Sequence, residues 1–171
     1  MAEISGNLSL IFDFISNIIL MQDLLILTHS VLRYFVLGFL VIVIVRAFSG
    51  WQKKAEYTAL DDKMSLWLFI LTHTQLLFGL ILYATSPKVI FSGSSMKDSL
   101  DRYWLVEHMS MMLIAIVLIT MARITAKKMS EATAKHKRLF IFNTLALIIV
   151  VVTIILMTKA DPSRSFFSLP I

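Results

Sequence analysis

Four stretches of the chain are apolar over about 20 residues, the length a helix needs to cross a hydrocarbon layer roughly 30 Å thick. They run over 24–45 (LLILTHSVLRYFVLGFLVIVIV), 66–85 (LWLFILTHTQLLFGLILYAT), 103–124 (YWLVEHMSMMLIAIVLITMARI) and 139–157 (LFIFNTLALIIVVVTIILM). None alternates polar and apolar residues in the ten-residue segments of a membrane barrel strand. The pattern therefore predicts an all-α protein, a four-helix transmembrane bundle with short connections and up-down topology. The transmembrane domain covers 24–158, and 159–171 forms a C-terminal tail.

Residues 1–23 are apolar but interrupted by Asp13, and no Lys or Arg precedes the apolar run. A secretory signal needs a basic start and a small-residue cleavage site, and neither is present. The segment reads as an interfacial helix or as an extension of the first span, with Met21 as an alternative initiation point.

Charge sets the orientation. Arg46, Lys53, Lys54 and Lys63 follow the first span, and Arg123, Lys127, Lys128, Lys135, Lys137 and Arg138 follow the third. Lys88, Lys97, Arg102, Lys159 and Arg164 fall on the opposite side. An excess of Lys and Arg marks the cytoplasmic loops, so both termini and the 86–102 loop are expected in the periplasm of a bacterial inner (cytoplasmic) membrane.

Composition sharpens this reading. Of 171 residues, 58% are apolar and only 16% charged, against about 25% charged in an ordinary soluble domain. The formal net charge of +5 lies in loops without an aromatic-interleaved basic face. That points to anionic lipid, with the bilayer as partner, and not to nucleic acid. With no cysteine, covalent CxxCH haem attachment and thiolate metal sites are excluded. No HExxH motif or phosphate-binding glycine loop is present.

An ionisable group inside a span costs roughly 2.5–3.5 kcal/mol on insertion scales and marks a functional candidate. Five qualify: His29 and Arg33 in the first span, His73 in the second, and Glu107 and His108 in the third. Gln75 and Asn143 are weaker members, and His136, set in AKHKR, is expected to be solvated. His29 and His108 each lie five residues into spans of the same direction, so both imidazoles sit roughly 7–8 Å below the outer boundary. His73 lies some 10 Å deeper at the same rise per residue. Two histidines level with each other on alternate helices are the arrangement that holds a haem b by both axial positions. Arg33, one turn after His29, then suits a haem propionate or Glu107. Two other readings stay open. The same residues can form a closed polar cluster that only fixes helix packing, as in a structural or assembly subunit. They can also move protons or quinol through the Glu and His groups.

The blocks HSVLRYFVL (29–37), HTQLLFGLILYATSP (73–87), RYWLVEHMSMMLIAIVLI (102–119) and AKHKRLFIF (134–142) resemble a family of small bacterial four-span membrane proteins labelled cytochrome b or cytochrome b-like. The resemblance covers about 21–157. It implies a haem b protein of the inner membrane that transfers electrons near the periplasmic side, in exchange with quinol or a larger respiratory membrane complex. The positions it carries over are His29 with Arg33, His73 with Gln75, and Glu107 with His108. His29 and His108 are the expected metal ligands, while Arg33, His73 and Glu107 belong to the cofactor pocket. No catalytic residue is expected, since such a chain is an electron-transfer subunit and not a stand-alone enzyme.

Overall fold

The computed structural model describes the backbone of residues 2–162 and the side chains of residues 14–162. Each apolar run lies within one long helix: α1 (Ala2–Gln52), α2 (Ala59–Thr85), α3 (Ser99–Lys127) and α4 (Ala132–Ala160). All four are long and apolar enough to cross a membrane, and no strand occurs among the described residues. The N-terminal segment is continuous with the first span, because α1 runs unbroken for 51 residues.

The helices end where local chemistry ends them. At the close of α1 the Ala55 amide reaches back to the Gly50 carbonyl at 2.9 Å, with Lys54 in the left-handed region at φ 50°. This is the i to i−5 closure that usually recruits a glycine. A capping box starts α2: the Thr58 hydroxyl accepts from the Asp61 amide, and the Asp61 carboxylate accepts from the Thr58 amide at 2.9 Å. Asp98 caps α3 by accepting from the Leu100 and Asp101 amides, both at 2.9 Å.

Helix α1 packs against α2 and α4, and α3 packs chiefly against α4, with a sparser contact to α2. This leaves α1 and α3 opposite each other. A tight apolar core joins Leu40, Val43, Leu68, Ala115, Ile119 and Ala146. Ala47, Ala122, Ala126 and Leu139 extend it toward the loops. Small side chains let the backbones approach closely, and in lipid that close packing replaces the hydrophobic drive that water would supply. Large apolar residues such as Val45, Leu77, Val117 and Ile148 point outward, as lipid-facing positions do.

Beyond the core lies a polar layer. Arg46 pairs with buried Asp61 at 2.7 Å. Arg123, assigned to a loop by the charge pattern, is 7% exposed on the inner face of α3. Its Nη1 donates to the Asp62 carbonyl at 3.0 Å and to Ser65 Oγ. His136 also departs from expectation: it is 2% exposed, not solvated. Its ring covers Gly50, stands 5.3 Å from the Tyr57 ring, and brings Nε2 to 3.4 Å from the Glu56 carbonyl. The lysines beside it turn outward, Lys135 over Tyr57 and Lys137 over Trp51. Burial in the interior lowers the acidity of the Tyr57 phenol, raising its pKa above the ordinary value near 10.

Candidate functional site

At the other end of the core the helices part around a cavity of about 220 Å³. Its walls come from 26–37 of α1, 72–83 of α2, 103–119 of α3 and 150–157 of α4, with Ser86, Lys88 and Val89 beyond the end of α2 at its edge. His29 and His108, from the two opposite helices, both line it, as do Arg33 and Gln75. No Asp or Glu contributes to the lining, whose cationic groups are Arg33 and Lys88 beside the two imidazoles. His29, Arg33 and His108 are close enough to interact electrostatically.

His108 is presented by an irregular turn. Residues Tyr103–Glu107 form a π-turn in which the His108 amide bonds to the Tyr103 carbonyl, five residues back. On an ideal α-helix, residues five apart lie about 140° from each other around the axis. The wider turn brings them onto one side, and Tyr103 Oη sits 3.3 Å from His108 Nδ1. Tyr103 is itself 2% exposed, and its hydroxyl donates to the Thr153 carbonyl of α4 at 3.3 Å. Tyr83 Oη, from α2, donates to the Leu105 carbonyl inside the turn at 3.0 Å.

His29 is held from α2. A Cβ placed on Gly79 would lie 3.1 Å from His29 Cε1 and 3.8 Å from Nδ1, so the imidazole rests directly against the glycine backbone. One turn earlier, Gln75 Nε2 donates to the His29 carbonyl at 2.9 Å. Two polar atoms of this contact, His29 Nδ1 and Gln75 Oε1, are buried without a hydrogen-bond partner. A Cβ on Gly38, by contrast, would meet nothing.

The other candidates have separate partners. Glu107 does not meet Arg33; its carboxylate is taken by Arg102 Nε at 2.7 Å, and it is absent from the cavity wall. Arg33 instead reaches the Tyr34 hydroxyl at 3.2 Å, with its guanidinium 5.0 Å from that ring centroid. His73 also stays outside the cavity. Its Nδ1 lies 2.8 Å from the Phe69 carbonyl of its own helix, and its ring lies 4.1 Å from that of Phe69. Asn143 is fully buried on α4, where its Nδ2 donates to the Leu139 carbonyl. The contact of Tyr103 with His108 is the feature of the pocket that the sequence reading missed, since a tyrosine five residues before a histidine falls on another face of a regular α-helix.

The donor set fits a b-type haem, the group implied by the sequence resemblance. Two imidazoles from opposite helices are the protein donors it needs, and Ala115 contributes a small side chain to the wall beside them. Met109 and Met112 add soft apolar surface. The basic lining suits the two carboxylates of such a group. A cluster of three or more His, Asp or Glu of the kind that binds a bare metal ion is absent among the described residues.

Comparison with protein-family models, curated proteins and solved structures returned no match to this chain.

Proposed function

We propose that this chain is a cytochrome b-like electron-transfer protein in which His29 and His108 ligate one haem b near the periplasmic side of a bacterial inner membrane. The observation that carries the reading is that these two imidazoles, from opposite helices, line one cavity. When bound, the haem would supply the one-electron redox chemistry. The residues supply everything else. His29 and His108 provide nitrogen donors, and Gly79 and Gln75 fix His29 from α2. Arg33 supplies positive charge for a propionate, and the apolar walls keep water away, which helps to set the potential. His73 and Glu107, bonded elsewhere, have packing roles.

The up-down arrangement is supported by the cavity walls, which combine the early parts of the first apolar run (24–45) and of α3 with the late parts of α2 and α4. The Lys and Arg distribution supports periplasmic termini. Quinol or a larger respiratory complex is the electron partner this reading calls for.

Purification in detergent after expression with added haem tests the proposal. The expected product has a Soret band that shifts on dithionite reduction. His29→Ala and His108→Ala lose it, while His73→Ala keeps it. A folded, colourless protein overturns the reading. It would favour a non-catalytic structural or assembly subunit, for which the Gln75 bond to α1 already provides a contact between helices.

A further inference from the structure

The contacts of Tyr103 determine more than the position of the neighbouring ring. A phenol carries one proton and a backbone carbonyl can only accept, so the Tyr103 hydroxyl spends its proton on the Thr153 carbonyl. Its oxygen then faces His108 Nδ1 at 3.3 Å with only lone pairs to offer. The two contacts are satisfied together in one arrangement, with the proton of the neutral imidazole on Nδ1. We propose that Tyr103 is a positioning residue that locks His108 as the Nδ1–H tautomer and turns the Nε2 lone pair toward the cavity as its electron-pair donor.

The assignment depends on the π-turn. Were 103–107 regular α-helix, the phenol and the imidazole would point to different sides of α3, and no hydroxyl of this helix would reach Nδ1. A fixed tautomer matters because a histidine ligates or accepts a proton through whichever nitrogen lacks one, and the bond made by the other nitrogen decides which that is. His29 has no such device, since its Nδ1 is buried without a partner. The two imidazoles are therefore unequal: one is set in advance by the protein and the other is free to choose. The tautomer itself stands without haem; its use as an axial ligand rests on the function proposed above.

The test is solution or solid-state NMR of haem-free protein labelled with ¹⁵N at histidine, near pH 8, in detergent or bilayers. The expected spectrum shows His108 with a protonated Nδ1 and a pyridine-like Nε2. In Tyr103→Phe, which keeps the buried ring and removes only the hydroxyl, His108 becomes a mixture of tautomers while the His29 signals stay in place. His108 protonated on Nε2 in the unmodified protein overturns the proposal without any variant, as does a tautomer unchanged in Tyr103→Phe. In pigmented protein, the same substitution is expected to move the reduction midpoint positive, because a ligand that loses the acceptor on Nδ1–H is a poorer donor to the oxidised iron. A midpoint unmoved by the substitution overturns the extension to the haem. A colourless protein with the expected NMR result separates failure of the haem reading from failure of the tautomer.

Discussion

Gly79 approaches His29 so closely that one added methyl group would stop 3.1 Å from the imidazole Cε1. Two opposed effects follow for Gly79→Ala. Alanine favours the helix by about 1 kcal/mol over glycine. Pressing a methyl into a filled space costs about 1–3 kcal/mol, less where the neighbour can yield. A ring on the edge of a cavity can yield by a few tenths of an ångström. Gly79→Ala is expected to leave the thermal midpoint in detergent nearly unchanged while shifting the His29 ¹⁵N resonances. Gly79→Leu, which fills the space the ring occupies, should destabilise by about 2 kcal/mol or more. A fully stable Gly79→Leu with unmoved His29 signals would show that the contact does not constrain the ring.

The contact of Gly50 with His136 gives the opposite balance. Here a Cβ would overlap the face of the imidazole, and the ring is enclosed by Tyr57 and the Glu56 backbone. Gly50→Ala should therefore cost about 1–3 kcal/mol, overriding the gain in helix propensity. Much of that loss should return in the double variant with His136→Ala, since residues in contact do not act additively. Unfolding of the four proteins in one detergent checks this, and strictly additive losses would refute it.

Arg123 distinguishes a buried cation from a surface one. Replacing it with Met keeps the apolar stem but removes the bonds to the Asp62 carbonyl and Ser65 hydroxyl. The expected loss is about 1.5–3 kcal/mol, in the range for hydrogen bonds to charged groups. Lys127→Met, at an exposed position on the same helix, should change stability by no more than about 0.5 kcal/mol. Equal effects of the two substitutions would remove Arg123 from the structural framework.

Lys54 holds a conformation that a side chain disfavours by roughly 1–2 kcal/mol. Lys54→Gly should raise stability by about 0.5–1 kcal/mol, part of the relief being spent on the freer unfolded chain. Lys54→Val should lower it. Chemical denaturation of both variants provides the check, and a Lys54→Gly protein less stable than the parent would argue against this closure of α1.

The four helices were legible because an apolar run of about 20 residues leaves few alternatives. Their ends were less so, since helices continue past the hydrocarbon-like stretch. Helix α4 begins at Ala132, seven residues before the apolar run at Leu139, and so takes His136 out of the loop where its lysine neighbours seemed to place it. Helical period carries the missing signal. His136, Leu139, Asn143 and Ala146 repeat at three and four residues and share the buried face of α4, and Arg123 falls likewise among Ile119, Ala122 and Ala126 on α3. Rise per residue places His29 and His108 at one level, and both do line one cavity. It could not show that Glu107 pairs with Arg102 instead of Arg33, because side-chain reach and the π-turn decide that. The turn itself leaves no trace in hydrophobic pattern, since a spacing of five belongs to no face of an α-helix.

The unbroken course of α1 has a geometric consequence. At 1.5 Å per residue its 51 residues span about 76 Å, more than twice a hydrocarbon layer. The stretch before His29 and the turn that carries it are therefore one continuous helix, so the direction of that stretch is also the direction from which the imidazole is presented to Gly79.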